Sequence, residues 1–245
     1  MDIPTLAQKY VERIKAVQPN GTYTLCGYCS GGHIALEVAY LLEAEGNKVA
    51  FVYNIASLAS DLANKSARLI DSKQYKERIN EDNKLLVNAL FATTQKNIEL
   101  LEKNTSDDIW KFVYINLEKF DINIDNFRET IKTIMRPIDV TRLVPSFYDC
   151  DLKTLLYYMN VLRSIVYGSG TYFEKRVINA PICLFSPDKD EMVPDVSLNA
   201  YFWQSHTTKT LINIVYDGDH FNWYEHERNA EFLEKFRECL KKQKM

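Results

Sequence analysis

A glycine-rich turn between a strand and a helix is the feature that most constrains the fold of this chain. The turn is the sequence Gly-Tyr-Cys-Ser-Gly-Gly at residues 27–32, and it follows a short predicted strand at residues 22–26. Apolar residues then recur at helical spacing over 33–44, and a mainly apolar run over 49–55 is typical of a buried strand. This β–turn–α–β order builds parallel sheets covered by helices, so the sequence predicts an α/β fold.

The composition of the chain changes after this unit. Glycine is absent from 47 to 167, and Asn, Lys, Glu, Leu and Ile dominate the stretch 58–176. Amphipathic helical patterns fit the segments 75–92, 106–118, 125–135 and 151–166. A stretch of roughly 120 residues is too long for a loop, so we expect a folded helical subdomain there.

Signals for strands and helices return after this stretch, with strands at 182–185 and 210–216 and helices near 195–205 and 227–242. A further amphipathic helix at 4–17 precedes the first strand. We therefore predict an α/β core made of residues 1–57 and 177–245, interrupted by a helical insertion at 58–176.

The glycine-rich turn fits the Gly-x-nucleophile-x-Gly elbow, with Cys29 in the place that serine usually takes. An elbow reverses the chain so sharply that the residues two positions from the nucleophile must be small, and Gly27 and Gly31 meet that need. The apex lies at a helix N-terminus, where the dipole favours a thiolate and backbone N–H groups can hold an oxyanion. We therefore interpret Cys29 as a nucleophile and the N–H of Ser30 as an oxyanion donor. The alternative is a small core residue, which is how we interpret Cys26.

A cysteine nucleophile needs a base, and the chain has four histidines. His220 stands in the sequence Asp-Gly-Asp-His-Phe directly after the predicted strand 210–216, where α/β sheets place their sites. His33 lies on the helix after the elbow, His206 lies between a helix and a strand, and His226 lies in a charged stretch. The order of nucleophile first and histidine last is also that of the α/β-hydrolases, so we predict His220 as the base. A histidine in a surface loop is the alternative.

The third member of such a triad is an acid that orients the imidazole and stabilises its charged form. The loop after the predicted strand 182–185 contains two candidates, with Asp190 as the first choice and Asp188 as the reserve. An aspartate shortly after a proline is also ordinary turn chemistry, which is the alternative for both.

Charge and composition exclude several other classes of function. The formal net charge is −3, and no cluster of Lys and Arg forms a nucleic-acid footprint. No apolar run is long enough to span a membrane, and residues 1–20 lack the apolar centre of a signal peptide. The five cysteines are an odd and scattered set, which indicates a reducing cytoplasm rather than a disulfide framework. No metal ion and no bound cofactor are expected.

Three parts of the chain resemble the thioesterase domains of nonribosomal peptide and polyketide synthases. They are residues 6–25, the elbow with its helix, and Gly-Asp-His-Phe at 218–221, which resembles the family's histidine motif. The resemblance is specific over 5–57, moderate over 180–240 and architectural over 58–176, where the family inserts a helical lid.

This resemblance implies an α/β-hydrolase-like fold, with a mostly parallel sheet flanked by helices and a large helical lid. It also implies that Cys29 takes an acyl or peptidyl chain from the phosphopantetheine arm of a carrier protein, with His220 and Asp190 completing the triad. Hydrolysis, aminolysis and cyclisation all stay open for the release step.

The chain departs from the family pattern in three places. The usual nucleophile is serine, and cysteine occurs in a minority of members. Many members carry their acid about where Ala56 stands, so the later loop with Asp190 is favoured here. The family also has a strand region ahead of the position of residue 1, which supplies a second oxyanion donor, and we expect those N-terminal strands to be missing.

Three other functions stay open from the sequence. The elbow of dienelactone hydrolases can also have the sequence Gly-Tyr-Cys-x-Gly-Gly. Cys26 and Cys29 form a C-x-x-C before a helix, which suits a thiol oxidoreductase. A binding module could keep the same fold without catalysis.

Overall fold

The structure is a computed structural model. It describes residues 2–60, 111–112, 114–115, 123–134, 139–144, 146–170, 172, 175–193, 195–225 and 229–242. The chain divides into two compact units, one formed by Met1–Ala67 with Ile165–Met245 and the other by Arg68–Ser164. The helix predicted at 75–92, most of that at 106–118, and His226 lie outside the described residues.

The first unit contains a parallel sheet. Its described strands are β1 (Thr22–Tyr28), β2 (Lys48–Ile55), β3 (Ile182–Pro187) and β4 (Ile212–Tyr216), paired in that order. Because all the pairs are parallel, the carboxyl ends of these strands meet at one edge of the sheet. The segments after β1, β3 and β4 carry Cys29, Asp190 and His220, so the sheet brings the three predicted site residues to that edge. The predicted α/β fold with a parallel sheet flanked by helices is confirmed.

The described helices agree with the apolar spacing to within a few residues. They are α1 (Ile3–Val17), α2 (Gly31–Ala44), α3 (Ile124–Ile134), α4 (Val140–Leu143), α5 (Leu152–Gly170), α6 (Val196–Gln204) and α7 (Ala230–Lys242). The carboxylate of Asp2 caps α1 by accepting from the N–H of Thr5 at 2.8 Å. Gly46 follows the end of α2 with a φ of 81°, which a glycine adopts without strain. Helix α4 was not predicted, because a single helical turn is too short to show helical periodicity.

Alternation along β2 and β3 divides the core between the two faces of the sheet. Val52 and Leu184 belong to the cluster formed with α1, α2 and α6. Tyr53 and Phe185, the next residue along each strand, belong to the cluster formed with α7. All four side chains are fully buried, as expected for central strands whose successive residues point to opposite faces.

The second unit is described mainly at α3, α4 and the first part of α5. Its most buried side chains are apolar: Phe127, Ile131, Val140, Val144, Phe147, Leu155, Leu156 and Met159. The guanidinium of Arg128 joins α3 to the segment after α4, since it donates to the carbonyl oxygens of Phe147 at 3.2 Å and Cys150 at 3.0 Å. That residues 58–176 form a lid stays a prediction.

Candidate active site

The elbow between β1 and α2 depends on two close approaches of the backbone. A Cβ at Gly27 would lie 2.1 Å from the carbonyl oxygen of Gly31, so the end of β1 presses directly on the start of the helix. A Cβ at Gly32 would lie 2.3 Å from the Oγ of Ser57. Among the described residues, a Cβ at Gly31 itself would meet nothing within 4 Å. The prediction that Gly31 must be small is therefore wrong. Gly27 faces fixed backbone atoms and is the position that requires glycine, whereas a Cβ at Gly32 would require the side chain of Ser57 to move.

Cys29 stands at the apex of this elbow in a left-handed backbone conformation, with a φ of 53°. Residues other than glycine rarely adopt this region, and such strain is concentrated at functional sites. The N–H of Cys29 donates to the carbonyl of Ile55 at 2.9 Å, which ties the apex to the end of β2. Cys29 is partly exposed.

Ser30 is the N-cap of α2, and its side chain makes no capping hydrogen bond. Its carbonyl accepts from the N–H of His33 at 3.2 Å, whereas its own N–H has no acceptor among the described residues. A free N–H at the start of a helix, beside the apex residue, is where an oxyanion donor is needed. The role of Ser30 as that donor remains part of the proposal below.

His220 and Asp190 form a buried pair. The Nδ1 of His220 lies 2.8 Å from the Oδ2 of Asp190, and the two side chains are 7% and 1% exposed. The other carboxylate oxygen of Asp190 accepts from the N–H of Met192 at 2.9 Å, which fixes the plane of the carboxylate. Because Nδ1 is held by the acid, the remaining ring nitrogen, Nε2, is the one available to Cys29.

Two opposing effects set the pKa of His220. Burial is the largest single effect and lowers this pKa, but the hydrogen bond to Asp190, the hydrogen bond to Cys29 and the negative charges of both groups together raise it to about 9. The ring therefore carries a proton at neutral pH.

Asp188, the reserve candidate, has a different partner. Its carboxylate accepts from the N–H of Gly218 at 3.0 Å, and the N–H of Lys189 donates to the carbonyl of Gly218 at 2.9 Å. An ion pair between Lys189 and Asp217 adds a third link. These contacts join the acid loop to the histidine loop, and Asp188 serves that connection rather than the imidazole.

Two of the other histidines are structural. His33 is buried between the rings of Tyr172 and Trp203, with centroid distances of 5.2 and 5.7 Å, and burial lowers its pKa to about 4. Its Nε2 is paired with the carbonyl of Leu58 at 2.9 Å. His206 is buried and its Nδ1 lies 2.8 Å from a backbone carbonyl oxygen. Among the described histidines, His220 is the one that reaches the elbow.

Tyr28 is a site residue that the sequence did not single out. Its hydroxyl donates to the carbonyl of His220 at 3.1 Å, and the two rings lie 5.0 Å apart. Trp223, at 4.9 Å, and Tyr224, at 6.2 Å, pack against the same phenol ring. Two features of the sequence could have indicated a role for Tyr28. It lies inside the elbow next to Cys29, and aromatic residues follow His220.

Cys26 is exposed on β1, so its prediction as a core residue is wrong. Cys26 pairs with Tyr53 on β2, and Tyr53 pairs on its other side with Cys183 on β3. The cluster with α7 contains Tyr53 and Cys183, but not Cys26. On this face of β1, Tyr28 packs against the cluster and Cys26 stays exposed.

The position where many related domains carry their acid is occupied by Ala56. This residue is buried, has a φ of 47°, and donates its N–H to the carbonyl of Phe185 at 2.9 Å. Its methyl group cannot orient an imidazole. Within the described residues, no group of three or more His, Cys, Asp or Glu side chains could hold a metal ion, and no helix is both long and apolar enough to cross a bilayer.

Comparison with known proteins decides the family. The model of the thioesterase domain matches residues 1–240. The chain belongs to the thioesterase domain family. The family expected from the sequence is thereby confirmed, and this thioesterase has its elbow, acid loop and histidine loop within the matched region.

Curated relatives of this thioesterase are long synthases. A stretch of 54 residues is 46% identical to indigoidine synthase of Streptomyces lavendulae, covering 22% of this chain and 4% of that protein. A stretch of 56 residues is 43% identical to tyrocidine synthase 3 of Brevibacillus parabrevis, covering 23% of this chain and 1% of that protein. The matches therefore span only a few per cent of the length of these relatives.

Solved structures share the fold of this thioesterase over almost its whole length. The RedJ thioesterase from the prodiginine pathway of Streptomyces coelicolor has a TM-score of 0.56 at 16% identity, covering 96% of this chain and 67% of that chain. A four-domain nonribosomal peptide synthetase bound to AMP and glycine has a TM-score of 0.56 at 19% identity. The match covers 98% of this chain and 16% of that chain. At these identities the likeness shows the fold.

Proposed function

We propose that this thioesterase uses Cys29 as a nucleophile against an acyl or peptidyl thioester carried on the phosphopantetheine arm of a carrier protein. The observation that carries the proposal is the Asp190–His220 pair at 2.8 Å. Cys29 stands at the strained apex of the elbow, and its interaction with the imidazole helps to raise the pKa of His220. In this proposal Cys29 is the nucleophile, His220 is the base and Asp190 is the acid of a catalytic triad.

The first chemical step forms a bond between the sulfur of Cys29 and the carbonyl carbon of the thioester. In the reactive state the thiol has given its proton to Nε2 of His220 before the attack, and Asp190 stabilises the charged ring. The N–H of Ser30 donates to the developing oxyanion. As the tetrahedral intermediate collapses, the bond to the pantetheine sulfur breaks and His220 returns the proton to that leaving thiolate.

The second step releases the chain from Cys29. Water, an amine or a hydroxyl of the chain attacks the acyl-enzyme, and His220 removes the proton of the attacking group. A cysteine acyl-enzyme is still a thioester, so it retains more of the reactivity of the substrate than a serine ester does. This suits aminolysis or cyclisation as well as hydrolysis. A helical lid formed by residues 58–176, and a reducing cytoplasmic location, belong to the same proposal.

A carrier protein is the expected partner because the relatives named above are synthases, among them a four-domain nonribosomal peptide synthetase. No tightly held cofactor is required by the steps above, since the pantetheine arm arrives with the substrate.

Trapping of the acyl-enzyme tests the proposal. The protein is mixed with an acyl-phosphopantetheine thioester, quenched in acid, and its intact mass and peptides are measured. An acyl group on the peptide that contains Cys29 is the expected result. Acylation of Cys26 instead, or no acylation of either residue, would overturn the assignment.

A further inference from the structure

A pair of thiols lies on the face of the sheet that α7 covers. The Sγ of Cys183 on β3 is 3.1 Å from the Sγ of Cys239 on α7, and both cysteines are free. A disulfide bond is about 2.05 Å long, so the two sulfur atoms need to approach by only about 1 Å to bond. The catalytic steps described above use neither residue.

The two thiols differ in access. Cys183 is completely buried, whereas Cys239 is 5% exposed and lines a groove of about 390 Å³. The groove has apolar walls that include Phe51 and Ile214, with Lys235 and Glu238 also among its lining residues. A small oxidant can therefore reach Cys239 first. Cys183 is then oxidised only by reaction with Cys239.

The register of the sheet excludes Cys26 as a competing partner for Cys183. Both residues pair with Tyr53, so β2 lies between them. Two strand spacings place their backbones roughly 9.6 Å apart, beyond the roughly 7 Å that a disulfide spans between Cα atoms. Cys239 is thus the partner that the fold provides.

We propose that Cys183 and Cys239 are a redox-active dithiol, which a hydroperoxide converts into a disulfide between β3 and α7. The sulfur of Cys239 attacks the peroxide, the O–O bond breaks, and the products are a sulfenic acid and an alcohol, or water when the oxidant is hydrogen peroxide. The thiol of Cys183 then displaces water from the sulfenic acid and forms the S–S bond. The two sulfur atoms lose two electrons in total, and the peroxide gains them.

The surroundings of the pair predict slow oxidation and a stable product. Burial, and next the hydrogen bond with Cys239, raise the pKa of the Cys183 thiol above its ordinary value, so little thiolate is present at neutral pH. The bond would close a loop from residue 183 to residue 239, which contains both Asp190 and His220. The disulfide would therefore restrain the unfolded chain and stabilise the fold. This inference does not depend on the proposed function.

Peptide mapping after oxidation tests the inference. Reduced protein is incubated with hydrogen peroxide, unfolded, alkylated with N-ethylmaleimide and digested, and a peptide linked through Cys183 and Cys239 is sought by mass spectrometry. We expect the linked peptide in the wild type and in Cys26→Ser, and its absence in Cys239→Ala. The oxidised wild type should melt roughly 5–10 °C higher than the reduced protein, and dithiothreitol should reverse the shift.

Two results would overturn the inference. One is that Cys183 and Cys239 both remain open to alkylation after Cys26 and Cys29 have been oxidised. The other is that oxidation links Cys239 to a cysteine other than Cys183. The wild type alone decides both points, so the outcome does not depend on whether Cys239→Ala folds well.

Discussion

The hydroxyl of Tyr28 donates a hydrogen bond to the backbone carbonyl of His220 across 3.1 Å, although 192 positions separate the two residues in the chain. Tyr28 directly precedes Cys29, so this bond ties the peptide next to the nucleophile to the peptide of the base. The ring of Tyr28 also lies 5.0 Å from the imidazole, which limits the rotation of His220. Tyr28 is thus a positioning residue of the proposed triad.

Replacement of Tyr28 by phenylalanine removes this hydrogen bond and keeps the ring. Loss of one hydrogen bond of ordinary strength changes a reaction rate by roughly tenfold or less. We therefore expect the rate of acylation of Cys29 to fall about 3- to 10-fold. Stopped-flow measurement of the acylation burst gives that rate. Tyr201→Phe is the matched control, because Tyr201 is 72% exposed on α6. Equal rates for the wild type and Tyr28→Phe would remove the positioning role.

Cys29→Ala should abolish acyl transfer, with a loss of about 10³-fold or more, because no other group stands at the apex of the elbow. Cys26→Ala should retain most of the activity, since Cys26 is exposed on β1 and outside the elbow. Release of the pantetheine thiol, followed with a chromogenic disulfide, measures both variants. Similar losses from the two substitutions would favour the C-x-x-C interpretation.

Asp190→Asn should reduce turnover about 10- to 10³-fold while the protein stays folded, because His220 loses the carboxylate that orients and charges its ring. Asp188→Asn is the matched control, since an amide oxygen can still accept from the N–H of Gly218. Steady-state kinetics and circular dichroism on both variants separate catalysis from folding. A larger loss in Asp188→Asn would reverse the assignment of the acid.

The stability of the protein should fall as the pH rises from about 6.5 to about 9. His220 has its pKa raised from 6.5 to about 9 in the folded state, so the folded protein binds this proton more tightly than the unfolded chain does. The stabilisation is complete below pH 6.5, is lost as the pH rises through 9, and amounts to at most about 3 kcal/mol. Urea titrations at several pH values measure it. Asp190→Asn should flatten this slope, whereas an unchanged slope would contradict the assigned cause.

Gly27→Ala should destabilise the protein by about 3 kcal/mol or prevent folding, because the new methyl group would overlap the carbonyl oxygen of Gly31. Gly31→Ala should change the free energy of unfolding by less than about 1 kcal/mol, because its Cβ would meet no atom of the described part of the chain within 4 Å. Thermal and urea unfolding of the two variants provide the comparison. A stable Gly27→Ala protein would mean that β1 and α2 pack less closely than the structure shows.

Much of this fold follows from short-range patterns in the sequence. The apolar spacing of residues 33–44 and the run at 49–55 predict α2 and β2, since helical and strand periodicities differ. The loop positions of Asp190 and His220 follow in the same way, because each comes directly after a strand of a parallel sheet.

Other features depend on contacts between distant segments. The exposure of Cys26 could not be predicted, because the strand pattern does not show how far α7 extends across the sheet. Asp188 and Asp190 lie two positions apart in one loop, and only the folded protein turns one towards His220 and the other towards Gly218. The contact of Tyr28 with His220 joins the two ends of the chain, which no local pattern reports.

Cys29 follows β1 and His220 follows β4, and these strands form the two borders of the described sheet. Three strand spacings, about 14 Å, separate the two strand ends, so the loops converge over β2 and β3 to close the site. Opening of the pair between β2 and β3, or of the pair between β3 and β4, would part the base from the nucleophile while the elbow between β1 and α2 stays folded. The rate at which Cys29 reacts with a thiol reagent should therefore depend on whether the sheet is intact. We expect this rate to change before the helices unfold.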